Sequence, residues 1–141
     1  MNFFLNKKVG VLGLSRTGIS SIKFLKKKCF IVFGWDDNKK IFSKAKKKLN
    51  IKILKNSNLK EMSFLITSPG IPSSGKKKHF ILKQAEKKKV EILNDIELFF
   101  RFNPEEKYIG VTGTNGKSTT VCLLNHIFKK LRINNSLSGN I

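Results

Sequence analysis

Residues 113–119 form the segment of this 141-residue sequence that is best suited to chemistry. Their sequence is Gly-Thr-Asn-Gly-Lys-Ser-Thr, and they lie between an apolar run and a segment with helical periodicity. Glycines allow backbone N–H groups to converge on an anion, and a following helix adds the positive end of its dipole. A lysine in such a loop can reach the β and γ phosphates of a nucleotide, and the next hydroxyl suits Mg²⁺. The segment therefore predicts a loop that binds ATP.

One position departs from the strict spacing of a phosphate-binding loop. The residue five positions before Gly116 is Val111, and Gly113 lies inside the loop instead. A glycine-rich turn with an exposed lysine is the alternative, but the glycines, the lysine, the hydroxyls and the flanking elements all favour phosphate binding. The predicted ATP-binding residues are Gly113, Thr114, Asn115, Gly116, Lys117, Ser118 and Thr119, with Lys117 catalytic and Ser118 a ligand of Mg²⁺.

A second glycine-rich turn follows the first apolar run. Residues 13–18, Gly-Leu-Ser-Arg-Thr-Gly, are similar to a dinucleotide-binding turn in which serine replaces the middle glycine. Asp36 and Asp37 lie where the next apolar run ends, roughly where a ribose-binding acid is expected, with a solvated turn as the alternative. The serine crowds the approach of a pyrophosphate. The turn therefore serves either a looser contact between a diphosphate and the amides of residues 16–18, or helix packing alone.

Short apolar runs alternate with segments of helical periodicity over the first hundred residues. This alternation is typical of a parallel sheet built from βαβ units. The predicted strands are at 9–13, 29–35, 51–54, 64–67 and 90–93, and the predicted helices include 41–49, 80–89 and segments near 19–25 and 96–100. The Ser-Pro-Gly-Ile-Pro sequence at 68–72 must interrupt any regular element.

The pattern restarts after a linker at 103–106. A strand is predicted at 108–112, followed by the glycine-rich loop and a helix with one apolar stripe, formed by Val121, Leu124, Phe128 and Leu131. We therefore predict an α/β protein with a Rossmann-like parallel-sheet domain over residues 1–103. Residues 104–141 would be the first βα unit of a P-loop ATP-binding domain, too short to bury a core alone.

The net charge is strongly positive, with 29 Lys and Arg against 9 Asp and Glu, or +20. Such a balance favours nucleic-acid binding in general. Here the basic residues occur throughout the chain, and only three are arginine, the residue best suited to bidentate contacts with phosphates and bases. Because Lys, Asn, Ile and Phe are all abundant and share AT-rich codons, we interpret the lysines as solvated surface. Binding to nucleic acid or to another anionic surface is the alternative.

Several classes of protein do not fit this sequence. No apolar run approaches the roughly 20 residues that cross a bilayer, and the N-terminus lacks the order of a signal peptide. Cys29 and Cys122 are far apart in the sequence and lack the spacing of a metal site or a redox motif. We therefore expect both thiols to be reduced and the protein to be cytoplasmic. His79 and His126 have no serine, cysteine or metal-binding partner at the spacing of a known motif, so we predict no catalytic or metal-binding role for either.

Residues 111–119 resemble the ATP loop of the Mur ligases, which add amino acids to the peptidoglycan precursor. Within that family, residues 68–71, 94–99 and 138–141 resemble the members that add D-glutamate, and the order and spacing match along the whole chain. The resemblance implies a cytoplasmic, monomeric, ATP-dependent ligase that joins D-glutamate to UDP-N-acetylmuramoyl-L-alanine through an acyl phosphate. ATP and Mg²⁺ would be its cofactors.

The resemblance also implies that the first domain holds the UDP part of the substrate and not NAD. Ser15 to Gly18 would face the diphosphate, the two aspartates would lie near the uracil, and residues 68–70 would line the cleft. The expected substrate-binding residues are Ser15, Arg16, Thr17, Gly18, Asp36, Asp37, Ser68, Pro69, Gly70 and Asn140. Asp95 and Glu97 match the family pattern, but a role as helix cap and first-turn charge is enough to explain their presence.

Full-length Mur ligases have further Mg²⁺ ligands, a modified lysine and a third domain for the incoming amino acid, all beyond the position that matches residue 141. We therefore expect this chain to be an inactive N-terminal fragment. Another Mur-superfamily ligase, such as one that adds L-alanine or a folate polyglutamate synthase, is an alternative. A dinucleotide-binding oxidoreductase and a basic nucleic-acid-binding protein are alternatives from other classes.

Overall fold

The first hundred residues contain five short strands. In this computed structural model, which describes residues 6–139, they are β1 (Lys8–Leu12), β2 (Ile31–Trp35), β3 (Lys52–Ile53), β4 (Phe64–Thr67) and β5 (Ile92–Leu93). All neighbouring strands pair in parallel, and their order in the sheet is β3-β2-β1-β4-β5. The predicted α/β fold with a parallel sheet is therefore confirmed, although most strands are shorter than the apolar runs that predicted them.

Helices connect or follow these strands. They are α1 (Arg16–Lys27), α2 (Lys39–Leu49), α3 (Phe80–Lys87), α4 (Asp95–Phe102) and α5 (Lys117–Lys130). A short 3-10 helix at Asn56–Glu61 precedes β4 and has no periodicity that would have predicted it. Across residues 6–139, no helix combines the length and the apolar character needed to cross a membrane.

The sheet separates two apolar layers. Side chains of a strand alternate between its faces, so Val9 and Val11 of β1 contact one layer and Leu12 the other. The first layer contains residues of α1, α2 and α4, among them Leu25. The second contains residues of α3 and the 3-10 helix, among them Leu82. Because both faces are covered, the central strands are buried and apolar on both sides.

The contacts within the chain divide it after Pro104 into two compact units. The second unit contains α5, none of whose residues is buried. The strand predicted at 108–112 is wrong, because the structure has no regular element there. A strand needs a neighbour for its backbone hydrogen bonds, and residues 105–139 contain no strand that could supply them.

Candidate functional site

The carboxyl ends of β1 and β4 lie side by side in the middle of the sheet. The chain order reverses at this point, since β2 and β3 lie on one side of β1 while β4 and β5 lie on the other. In open parallel sheets, ligands bind in the crevice outside the strand ends at such a reversal. The predicted glycine-rich turn follows β1 and the predicted 68–70 segment follows β4, so both lie at this crevice.

Gly13 and Gly18 are required by the close packing of the turn that follows β1. Gly13 has φ +87°, a left-handed conformation that favours glycine. A Cβ on Gly18 would lie 1.9 Å from the carbonyl oxygen of Gly13. The Ser68 hydroxyl donates a 2.9 Å hydrogen bond to the same oxygen. Ser68 is only 4% exposed, so its contact in this structure is with the turn, which it fastens to the end of β4.

Asp36 joins the end of β2 to the same turn. Its carboxylate accepts hydrogen bonds from the Leu14 amide at 2.7 Å and from the Asn38 amide at 2.8 Å. The Gly13 amide donates to the carbonyl of Trp35 at 2.8 Å. Asp36 therefore positions the backbone of the turn, a role that its place at the strand end did not predict.

The first turn of α1 offers unpaired donors to an anion. The first backbone N–H groups of a helix have no intrahelical partner. Ser15 precedes the helix as its N-cap without using its side chain as a cap, and no acidic residue lies in the first turn. Ser15 and Arg16 are exposed, Thr17 is half-buried, and Gly18 is buried. Amides, a hydroxyl, a guanidinium and the positive end of the helix dipole together can bind a phosphate group.

A cavity of about 690 Å³ lies beyond the end of β2 and is lined in part by Trp35, Asp37, Lys77 and His79. The indole N–H of Trp35 donates to Oδ1 of Asp37 at 3.0 Å. Nδ1 of His79 accepts a 3.1 Å hydrogen bond from the Ile81 amide and so caps α3. Because Nδ1 is an acceptor, Nε2 has the proton and donates to Oδ2 of Asp37 at 3.0 Å.

Sequence reasoning missed His79. Its contact joins two residues that are 42 positions apart, which no local spacing could indicate. Its position directly before a helical segment was the available signal, because a side chain there can cap the helix.

A second cavity of about 380 Å³ lies on the other side of the crevice. It is bounded by the ends of β4 and β5, and Thr67, Ser68, Pro69 and Asp95 are among its lining residues. The Thr67 hydroxyl is buried there and has no hydrogen-bond partner within residues 6–139. Gly70 is exposed and is not among the lining residues of either cavity.

The start of α4 shows the helix-starting role that was expected of Glu97, whereas Asp95 is the first helical residue and Asn94 is the N-cap. Asn94 Oδ1 accepts from the Glu97 amide at 2.8 Å, and Glu97 Oε2 accepts from the Asn94 amide at 2.7 Å. The two residues thus form a reciprocal capping box.

In the second unit, the glycine-rich loop leads directly into α5. Gly116 is the N-cap of the helix with φ +77°, a conformation that suits glycine. The Lys117 ammonium donates to the carbonyl oxygens of Gly113, at 2.5 Å, and Thr114, at 3.1 Å. Ser118 and Thr119 are exposed in the first turn of the helix. The loop therefore places a lysine, two hydroxyls and helix amides at one end of α5.

The model of the family described as Mur ligase MurD-like, N-terminal domain, matches residues 7–94. This chain belongs to the MurD-like Mur ligases. The match covers the whole parallel sheet, including the turn after β1, Asp36, Asp37 and the 68–70 segment.

Curated relatives of this MurD-like chain extend the similarity over all of its length. The UDP-N-acetylmuramoylalanine–D-glutamate ligase of Wolbachia pipientis wMel is 40% identical over 145 residues, which cover 100% of this chain and 28% of that protein. The ligase of the same name from Rickettsia prowazekii (strain Madrid E) is 35% identical over 144 residues, covering 100% of this chain and 31% of the relative. The chain thus spans less than a third of the length of these relatives.

Among solved structures, the shikimate dehydrogenase of Aquifex aeolicus is similar to this chain with a TM-score of 0.50. The similarity covers 68% of this chain and 45% of that one, at 16% sequence identity. It supports a Rossmann-like fold for the MurD-like domain and nothing about its ligand.

The predicted site also includes the substrate-binding residue Asn140 and the metal ligand Ser118. Asn140 lies outside the described residues. Within residues 6–139, no group of three or more His, Cys, Asp or Glu side chains could hold a metal ion. Ser118, the one residue predicted to be a ligand of Mg²⁺, is exposed in the first turn of α5.

Proposed function

We propose that this chain supplies the UDP-binding domain and the ATP loop of an ATP-dependent ligase that adds D-glutamate to UDP-N-acetylmuramoyl-L-alanine. Membership of the MurD-like family supports the substrate, because the relatives are named for this ligation. The proposal concerns a ligase of the relatives' full length. These 141 residues span less than a third of that length. We expect the polypeptide alone to bind nucleotides in the cytoplasm without completing the ligation.

The observation that most directly supports UDP binding is the start of α1 at the crevice between β1 and β4. The first turn of α1 contains no acidic residue, and Asp36 and Ser68, which directly follow β2 and β4, fix the preceding turn. A turn held in this way pre-organises the helix amides for a diphosphate, which lowers the entropic cost of binding. Ser15 and Arg16 would then contact the diphosphate, while Asp37 in the neighbouring cavity would face the uracil.

The residues of the second unit fit one half of an ATP site. Lys117 would neutralise the charge that develops on the γ-phosphate, since its ammonium already lies within the loop. The Ser118 hydroxyl would contribute one oxygen ligand to Mg²⁺, an ion that usually keeps waters and substrate phosphate oxygens as its other ligands. When bound, Mg²⁺ supplies charge neutralisation between the β- and γ-phosphates.

The proposed reaction has two steps. The carboxylate of the substrate attacks the γ-phosphorus of ATP, and the bond to ADP breaks, which gives an acyl phosphate. The amine of D-glutamate then attacks the acyl carbon, loses a proton and displaces phosphate to form the amide. Positioning and charge neutralisation by Lys117 and the loop amides would be the contribution of these residues to the first step.

Binding of UDP to the 141-residue chain tests the first site. Calorimetry should detect UDP binding, and Arg16→Ala should weaken it roughly tenfold, because a hydrogen bond to a charged group contributes about 1.5–3 kcal/mol. Lys23→Ala, an exposed lysine further along α1, is the charge-matched control and should leave the affinity unchanged. Tighter binding of NADH than of UDP would favour the oxidoreductase alternative and contradict the proposal.

Binding of Mg·ATP tests the second site. Lys117→Ala should weaken Mg·ATP binding at least tenfold, since an ammonium paired with phosphate is lost. Lys129→Ala removes an exposed lysine from the last turn of the same helix and should have no effect. Equal affinities for the wild-type chain and the Lys117 variant would contradict an ATP-binding role for the loop.

A further inference from the structure

Three of the four lysine triplets in the sequence lie where helices end. Residues 26–28 end α1, residues 46–48 lie in the last turn of α2, and residues 87–89 end α3. The fourth triplet, 76–78, lies between the end of β4 and the start of α3, and therefore at the carboxyl edge of the sheet. The even spread of lysines along the sequence is therefore not an even spread in the fold.

The topology gathers these three helix ends at one edge. A helix that connects two parallel strands runs antiparallel to them, so its C-terminus lies near the amino ends of the strands. Ile22 and Ala45 of α1 and α2 belong to one apolar layer, and Leu82 of α3 belongs to the other. The three triplets therefore surround the amino edge of the sheet on both of its faces, and we call them the amino-edge lysines.

Acidic side chains do not neutralise this edge. Glu61 and Glu91 lie just before β4 and β5, but Glu61 pairs with Lys8 and Glu91 pairs with Arg101. Glu86 of α3 pairs with Lys78, which belongs to the fourth triplet. These three carboxylates thus have basic partners that are not amino-edge lysines.

Stabilisation of the helix ends explains only part of the cluster. The Lys26 ammonium donates to the carbonyl of Asn50, the C-cap of α2, at 3.1 Å. The Lys88 ammonium instead donates at 2.6 Å to Oδ1 of Asn56, which begins the 3-10 helix. The C-terminal end of a helix has the equivalent of about half a negative charge, which one lysine more than neutralises. The side chains of Lys46, Lys47 and Lys48 are exposed and make no hydrogen bond or ion pair with the described residues.

We propose that the amino-edge lysines dock this protein on the surface of an anionic lipid bilayer. All nine are lysines, which act as point charges without the bidentate geometry that arginine offers to phosphates and bases. They are spread over both faces of the sheet and do not follow one groove, which suits an extended charged surface better than a nucleic-acid strand. The crevice between β1 and β4 is at the opposite edge, so docking leaves it open.

Co-sedimentation of the 141-residue chain with lipid vesicles tests this proposal. The chain should bind vesicles of phosphatidylcholine and phosphatidylglycerol at low salt, release at high salt, and not bind vesicles of phosphatidylcholine alone. The triple variant Lys46→Gln, Lys47→Gln, Lys48→Gln should reduce the partition coefficient about a hundredfold, at about fivefold for each lysine. Glutamine keeps the helical propensity of α2, and circular dichroism checks that the fold is retained.

A charge-matched variant separates the amino edge from net charge. Lys39→Gln, Lys76→Gln and Lys77→Gln remove three exposed lysines from the carboxyl edge and should leave vesicle binding within about twofold. Equal losses in both triple variants would show that net charge alone drives binding and would overturn the proposal. Absence of binding to anionic vesicles, or tighter binding to a short DNA duplex at the same salt concentration, would also overturn it.

Discussion

Replacement of Gly18 should be strongly destabilising. In Gly18→Ala the new methyl group would lie 1.9 Å from the Gly13 carbonyl oxygen, which is backbone and cannot move aside. We expect the free energy of unfolding to fall by roughly 3 kcal/mol or more, or the chain not to fold, because overpacking at backbone is poorly relieved. Urea denaturation measures the change.

Gly70→Ala is the matched control for this prediction. A Cβ at Gly70 would have no atom within 4 Å, and Gly70 is not among the residues with positive φ. The substitution should change the free energy of unfolding by no more than about 0.5 kcal/mol. Equal stability of the two alanine variants would contradict the close contact between Gly18 and the Gly13 carbonyl.

His79→Ala should lower the free energy of unfolding by about 1 kcal/mol, because α3 loses its N-cap acceptor. His79→Asn retains a side-chain oxygen that can accept from the Ile81 amide and should recover most of this loss. His126→Ala, at an exposed position, should have no measurable effect on thermal or urea denaturation. An asparagine variant as unstable as the alanine variant would mean that the contact with Asp37, and not the cap, stabilises the fold.

Individual contacts of the site residues were harder to predict than their positions. The sequence pattern predicted that Gly13 and Gly18 follow the first strand and that Asp36 lies at the end of the second. It did not predict that Asp36 binds the Leu14 amide, or that the Ser68 hydroxyl faces the Gly13 carbonyl. These contacts join residues 22 and 55 positions apart, and they depend on the exact register of the sheet.

At the scale of elements, the pair Glu91–Arg101 connects the start of β5 to the last turn of α4. Nη1 of Arg101 donates to Oε2 of Glu91 at 2.9 Å, and Nη2 donates to the other oxygen. These hydrogen bonds, with a smaller contribution from the charge of Arg101, hold the pKa of the Glu91 carboxyl below its ordinary value. A carboxylate with a lowered pKa in the folded state stabilises the fold above its unfolded-state pKa, and this contribution is lost as the pH falls through the folded-state pKa.

Glu91→Gln should therefore be less stable than the wild type at neutral pH, by no more than about 1 kcal/mol because the pair is exposed. The two proteins should become equally stable as the pH falls below the folded-state pKa of Glu91. Thermal denaturation across a pH series measures the difference. Glu105→Gln, in the linker and without an ion pair among the described residues, should match the wild type throughout, and a pH-independent loss in Glu91→Gln would contradict the prediction.

Periodicity predicted the types of most elements, but it predicted one strand that is absent and missed one short helix. The five strands and four helices of the first unit were predicted because burial on a sheet or under a helix leaves a regular apolar pattern. The same pattern at 108–112 predicted a strand that is absent, because an apolar sequence forms a strand only beside another strand. The 3-10 helix was missed because its one buried residue, Leu59, leaves no period.

At the scale of the whole molecule, burial is concentrated in the first unit. Four residues of α1 are buried, whereas α5 has none. We expect amide hydrogens of β1 and α1 to exchange only on global unfolding, and those of α5 to exchange much faster in the same 141-residue chain. Hydrogen exchange followed by mass spectrometry or NMR measures both. Equal protection of α5 and α1 would contradict the contrast in burial.

The outer strands of the sheet, β3 and β5, are only two residues long. Each of them has a partner on one side only within the described sheet. An exposed strand edge can recruit a strand of another molecule, and natural proteins limit this hazard by keeping such edges short. The first unit therefore offers very little template for intermolecular β-pairing. It should resist fibril formation at high concentration although its three central strands are highly apolar.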